Sequence, residues 1–386
     1  MEVPLLDIVV VGPFPEDESI IRGGVQASVY GLTIALSRRT DVRSVTVMST
    51  PVDTKSVSKR IGGPGITVVF LDVPWKFMSS SVFHLRRILR EASALQNPIF
   101  HIHGTGLLSA ALCLALSFMR IPYVFTLHGL AEKETLDQLR RRRSIRNLAQ
   151  YAYFSFLERV LLRVAPQVIV DTTYVADAVG RKNDVHVIPQ GIFADELLPA
   201  RNPGLRRDMI LSVGAFSPRK GHDLLLEAFK SVRAIRATTE LVIVGAVHDR
   251  AYFELLTTRI AELGLMGGIS LHPDASRETI VGLLSQANLF ALHSQEESQG
   301  IALCEALAAG IPVVATDVGG ISYVVTQGED GLLVPFGDTQ GFSDALIALL
   351  SDERRRAEMS VKAARNSARF DWNNIVDAIV TLYRHL

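Results

Sequence analysis

The 386-residue sequence is too long for one ordinary α/β domain and suits two of roughly 150–200 residues each. Lys and Arg together number 40, as do Asp and Glu, so net charge gives no argument for nucleic-acid binding; hydrophobic residues, at 48%, are ample for two buried cores. Cys113 and Cys304 lie far apart inside apolar helical runs, which excludes a disulfide framework and fits a reducing compartment.

Residues 1–11 carry two acids and no Lys or Arg, and they read as a strand rather than an export signal. From there, short β-branched runs alternate with helical patterns, which predicts parallel sheets built from βαβ units. The first series of predicted strands is Leu6–Val11, Ser44–Ser49, Thr67–Asp72, Ile99–His103, Tyr123–Leu127, Val168–Asp171 and Val185–Ile188. Their apolar runs are nearly unbroken, as in strands covered by helices on both faces. The longest apolar stretch, Leu107–Met119, falls well short of the ~20 residues that cross a bilayer, so no integral membrane segment is expected. A cytoplasmic protein is expected, with peripheral attachment left open. Pro189–Asp208 has the proline, glycine and charge content of an interdomain linker. The second series runs Met209–Val213, Leu241–Gly245, Ile269–Leu271, Leu289–Leu292, Val313–Thr316 and Leu332–Val334. The chain closes with a helical pattern over Phe370–Leu386, whose apolar face is Trp372, Ile375, Ile379, Leu382 and Tyr383. The expected fold is therefore two doubly wound α/β domains facing a central cleft, with ligands at the carboxyl ends of the strands.

Chemistry is thus sought in the strand-to-helix loops. After the first strand, Arg22-Gly23-Gly24-Val25 precedes a helix, and paired glycines there let backbone amides approach an anion; a turn that simply needed glycine is the plain alternative. His101 and His103 share a strand face and read as structural, whereas His128, beside Gly129 at a strand terminus, is open to a ligand. Arg219 and Lys220 flank the helix opening near His222, where two cations suit a diphosphate, although a solvated turn explains them equally well in isolation. The strongest signal is the run Ser294 to Gly310. Its helix is predicted to open near Gly300, leaving the amides of Gln299, Gly300 and Ile301 without intrahelical partners, with Glu297 just before the opening and Glu305 about 7–8 Å further along the axis. A carboxylate only accepts hydrogen bonds, so it pairs naturally with sugar and ribose hydroxyls. Glu305 also sits among Ile301, Leu303, Ala306 and Leu307, where an unpaired charge would be costly.

Glu297-x7-Glu305 followed by Ala-Leu-Ala-Ala-Gly-Ile-Pro-Val-Val-Ala-Thr resembles the signature of glycosyltransferase family 4, retaining enzymes of the GT-B fold. The likeness extends over nearly the whole chain: Gly23-Gly24 resembles the family's early glycine loop, Thr126-Leu127-His128-Gly129 its His-Gly strand end, Val187 to Ile192 its linker, and Phe370-Asp371-Trp372 the start of its C-terminal helix. The resemblance implies a first domain of residues 1–190 completed by 370–386, a linker of 191–208, and a donor domain of 209–369. It implies that Glu297 holds donor-sugar hydroxyls, Glu305 the ribose hydroxyls and Lys220 the diphosphate. Gly23, Gly24 and the amides of Gln299, Gly300 and Ile301 would complete the pocket, with His128 on the sugar or acceptor side. In one place the sequence departs from the family: Ala215 follows Gly214 where arginine is common, and Arg219 is expected to supply the cation. The loop 296–300 also lacks an aromatic often found there.

The resemblance further implies transfer of a hexose from a nucleotide-diphosphate sugar, a UDP-sugar by expectation, to a hydroxyl of a glycan or lipid-linked acceptor with retention. Fixed cations and helix-end amides can support a leaving diphosphate without a metal, and no Asp-x-Asp occurs in the sequence, so neither metal nor cofactor is expected. Residues 139–163 hold Arg140, Arg141, Arg142, Arg143, Arg146, Arg159 and Arg163 against one acid, Glu158, with interleaved aromatics. Such a basic, partly apolar helix suits an anionic membrane surface or a lipid-diphosphate acceptor, and equally a solvated helix face. An epimerase-like enzyme and a catalytically silent nucleotide-sugar binder are the rival readings.

Overall fold

The computed structural model describes residues 4–18, 21, 23–49, 58–59, 65–71, 80–141, 143–180, 184–201 and 206–386. Arg22, Asp72, Arg142 and residues 202–205 of the segment read as a linker lie outside the described residues. The chain divides into two compact units, one of residues 1–16, 25–189 and 375–386, the other of 17–24 and 190–374.

In the first unit, β1 (Leu6–Val11), β2 (Val42–Ser49), β3 (Ser58–Lys59), β4 (Ile66–Phe70), β5 (Ile99–His103), β6 (Tyr123–Leu127), β7 (Gln167–Val170) and β8 (Asp184–Val187) form one sheet in the order β3-β4-β2-β1-β5-β6-β7-β8. Every neighbouring pair is parallel except β3–β4, a short antiparallel edge that the sequence pattern did not predict. The central β-branched strands are buried, with Ile8, Val9, Val10, Ile102, Val124 and Val168 fully so, because helices such as Leu107–Met119 cover the sheet, whereas edge strand β8 stays partly exposed. The C-terminal helix, Trp372–Tyr383, buries its whole predicted apolar face, and from Ile375 onward it belongs to this unit. Tyr383 Oη bonds His101 Nδ1 at 2.6 Å, and Arg39 and Arg384 both reach Asp41, with Arg39 also paired to Asp377.

In the second unit, β9 (Arg207–Val213), β10 (Glu240–Gly245), β11 (Ile269–Pro273), β12 (Ala287–Leu292), β13 (Val313–Thr316) and β14 (Gly331–Val334) form an all-parallel sheet in the order β11-β10-β9-β12-β13-β14. The chain lays strands on one side of β9 and then on the other, so the order reverses at β9/β12. There the loops leaving adjacent strand ends splay to opposite faces and open a crevice. Leu197 and Ala200, from the segment after Gln190, are buried in this unit's core. Ile192 pairs with Asp371, and a Cβ on Gly191 would overlap the Trp372 ring, so only glycine allows that close approach.

The basic run 139–163 is two helices rather than the single one expected. Ala131–Arg141 ends, and Ile145–Val164 begins behind Ser144, whose Oγ accepts the Asn147 amide at 3.1 Å. A serine that satisfies an otherwise orphaned helix-start amide favours a new helix over continuation of the old one.

Candidate functional site

The loops leaving β9, β12 and β13 converge at the reversal in the second unit. After β9, a 3-10 turn Pro218–Lys220 leads through Gly221 to the helix His222–Ile235. Gly221 has φ +59°, and a Cβ there would lie 2.1 Å from the His293 carbonyl oxygen. That contact presses the β9 loop onto the β12 loop. Gln295 N donates to Arg219 O at 2.9 Å, and Arg219 Nη1 donates to Glu296 O at 3.0 Å. The Lys220 side chain crosses over Gly214, whose missing side chain leaves room for it.

These contacts aim Lys220 Nζ at Glu297 Oε1, with which it forms an ion pair. Ser294 Oγ donates to the same oxygen at 2.7 Å, and Gly320 N donates to the Glu297 carbonyl at 2.9 Å. Both members of the pair are largely buried. Burial alone would raise the Glu297 carboxyl, but the charges of Lys220 and Arg219 and the two side-chain hydrogen bonds outweigh it and hold the group below its usual range. Glu297 is thus a fixed anion with one oxygen saturated, and Lys220 a fixed cation beside it.

The helix Ile301–Ala308 opens immediately afterwards, with Gly300 as its cap at φ +83°. Its first amides have no intrahelical acceptor, as in any helix, and form an anion-attracting end. Gly24, a member of this unit, lies against it: a Cβ there would sit 3.7 Å from Ile301 Cδ1. The Gln299 side chain turns away to serve the backbone of Gln190, accepting its N–H at 2.7 Å and donating to its carbonyl at 2.9 Å. Only the main chain of Gln299 is left to face a ligand.

Glu305 occupies the same helix in the apolar setting that the sequence implied, and its charge is matched. Arg277, the first residue of the helix Arg277–Gln286, pairs with Glu305 and extends 3.5 Å to Glu196. The Glu305 charge in turn raises the Arg277 guanidinium above its ordinary value. Arg277 and Gly319-Gly320 escaped sequence reasoning, and Ser294 was read only as the start of the run to Gly310, without its bond to Glu297. The glycine doublet after Thr316 was a readable sign of close approach, since a Cβ on Gly319 would lie 2.0 Å from Glu297 O; Arg277 carried none.

His128 lies in the first unit. Its Nε2 meets His103 Nδ1 at 2.8 Å, His103 stacks on His101 at 4.1 Å, and His101 Nε2 meets Thr126 Oγ1 at 2.6 Å. Burial drives the imidazoles of His101 and His128 down to about 3, so the cluster is neutral near pH 7. The described helices include none long and apolar enough to cross a membrane.

The same fold recurs in solved structures at low sequence identity. Sucrose-phosphate synthase from Thermosynechococcus elongatus superposes with a TM-score of 0.82 at 22% identity, over 98% of each chain. Anabaena HepE, solved in complex with UDP-glucose, gives 0.74 at 20% identity, over 99% of this chain and 100% of that one. The architecture is that of the GT-B glycosyltransferases. Residues 22–196 match the family model described as Glycosyltransferase Family 4, and residues 195–366 the model described as Glycosyl transferases group 1. The chain belongs to glycosyltransferase family 4, as its sequence resemblance implied. Relatives include proteins named D-inositol 3-phosphate glycosyltransferase: that of Jonesia denitrificans is 29% identical over 55% of this chain, and that of Nocardia farcinica 26% over 94%. The match spans 53% of the Jonesia protein's length and 83% of the Nocardia protein's.

Proposed function

We propose that this glycosyltransferase moves a hexose from a UDP-sugar to a hydroxyl of a glycan or lipid-linked acceptor, with retention and without a metal. The observation that carries the reading is the Lys220–Glu297 pair, buried beside the open end of the helix Ile301–Ala308. Lys220 and the helix-end amides, supported by Arg219 at the loop, form a preorganised positive field where a leaving diphosphate gathers charge. The second oxygen of Glu297 accepts from donor-sugar hydroxyls, and the second oxygen of Glu305 from the ribose diol. Gly23 and Gly24 contribute close backbone approach at the phosphates, and His128 lines the sugar or acceptor side as a neutral hydrogen-bonding group. HepE, a structure of the same fold, is described with UDP-glucose, which favours uracil as the base. The relatives' name makes D-inositol 3-phosphate the first soluble acceptor to try. A lipid-linked acceptor would instead bring the enzyme to a membrane, and residues 139–163 are the part of the chain suited to that.

The test is nucleotide release from UDP-, GDP- and ADP-hexoses with and without acceptor, followed by NMR of the product anomer. Acceptor-stimulated UDP release that survives EDTA, with the donor's anomeric configuration kept, is the expected result. Inversion, or a strict divalent-metal requirement, would refute the site as described. Glu297→Ala should lower turnover about 10²–10³-fold, as removal of a preorganised polar partner does elsewhere, and Glu296→Ala far less.

A further inference from the structure

The break between the helices Ala131–Arg141 and Ile145–Val164 builds a surface that the transfer chemistry does not use. Ser144 caps the second helix and fixes the direction in which it sets out, so Ile145, its first residue, projects outward with 88% of its surface exposed. Leu148 and Phe156, one and three turns on, are 54% and 66% exposed. Between the two helices lies an open groove of about 490 Å³, walled by Leu136, Leu139, Ile145 and Leu148, with Arg140 and Arg143 among its lining. Isolated exposed apolar side chains are ordinary on proteins, but a groove ringed by them is not.

The charges around it are one-sided. Arg140 is matched by Asp137 at 3.3 Å and Arg159 by Glu132 at 3.1 Å. Arg143 and Arg146 are exposed and form no ion pair among the described residues. Glu158, the one acid within 139–163, is buried and spent on the Glu132 amide at 3.1 Å. Unmatched guanidiniums beside outward aliphatic side chains complement one kind of surface, in which phosphates lie next to hydrocarbon. A second copy of the chain is disfavoured, because a twofold contact on this face would set Arg143 and Arg146 against themselves.

We infer that this helix break is a membrane-docking edge: Arg143 and Arg146 contact the phosphates of an anionic bilayer while Ile145 and Leu148 enter its interfacial layer and an acyl segment occupies the groove. The inference rests on the membrane-facing reading of residues 139–163 and is independent of the donor site.

Co-sedimentation with phosphatidylcholine vesicles, with and without 30% phosphatidylglycerol, tests it on the full chain. Binding should require the anionic lipid and weaken with salt. Arg143→Glu/Arg146→Glu should reduce binding about 10- to 30-fold, and Ile145→Ser/Leu148→Ser about tenfold. Both variants should keep wild-type UDP affinity and acceptor-independent UDP release, which certifies folding and separates this inference from the donor-site reading. Equal binding to neutral vesicles, no binding at all, or unchanged binding by both folded variants would overturn it. So would a dimer abolished by Ile145→Ser/Leu148→Ser, because a second copy would then be the occupant.

Discussion

Gly221 shows how much a single position contributes to the site. Its φ of +59° and the 2.1 Å approach to His293 O leave no room for a side chain, yet this contact holds Lys220 over Gly214 and against Glu297. Gly221→Ala should destabilise the chain by about 2–4 kcal/mol, measured by urea denaturation, and weaken UDP binding with it. Arg277 tests a different kind of role. It touches Glu305 rather than the reacting atoms, so it is a positioning residue, and its loss leaves Glu305 without its counter-charge. Arg277→Ala is expected to raise donor KM about tenfold with kcat nearly unchanged, and Arg277→Lys to recover most of the loss; an equal fall in kcat would contradict this. At this scale the loop placement of Glu297, Lys220 and Gly300 was legible in the sequence, because residue type and strand-to-helix position coincide there. Partners brought together only by folding were not: Arg277 lies on another helix from Glu305, and the Gln299 side chain is committed to the backbone of Gln190, which spacing alone does not reveal.

Elements tell a similar story. Strand positions were readable because buried parallel strands are continuous β-branched runs, and the observed bounds differ from expectation mostly at the ends, as in β2 starting at Val42. The antiparallel edge β3 was not readable, since two residues carry no period. The run 139–163 read as one helix because its composition is uniform, and a single serine cap divides it. The elements of the first unit are also joined by titratable groups with a defined pH signature. His101, which links β5, β6 and the C-terminal helix, stays neutral when folded down to about 3, whereas in the unfolded chain it protonates near pH 6.5. As pH falls below about 6.5 the unfolded chain gains a proton that the folded chain refuses, so stability drops by up to about 1.4 kcal/mol per pH unit for each such histidine. Asp41 acts lower on the scale: the Arg39 hydrogen bond, helped by Arg384, brings its carboxyl to about 2, and its contribution is complete above about pH 4 and lost toward 2. Urea titrations from pH 7 to 4.5 should therefore show falling stability, with a shallower slope in His101→Asn. An unchanged slope would mean that His101 is not held neutral.

For the molecule as a whole, composition announced two α/β cores, and each sheet is packed in its own unit, the second with a buried cluster on either face. Order within a sheet was hidden, because periodicity identifies a strand but not its neighbour; the reversal at β9/β12, where the loops leaving β9, β12 and β13 gather, is visible only in the fold. If Lys220 serves the diphosphate and Glu297 the sugar, phosphate recognition and sugar recognition must be separable in the intact protein. Calorimetric titration of UDP and UDP-glucose into the wild type, Lys220→Ala and Glu297→Gln measures this most directly. Lys220→Ala should weaken both ligands tenfold or more, on the order of 1.4 kcal/mol, whereas Glu297→Gln should weaken UDP-glucose and leave UDP within about twofold. Loss of both ligands equally in Glu297→Gln, or undiminished UDP binding in Lys220→Ala, would contradict the assignment of sugar to the carboxylate and diphosphate to the lysine.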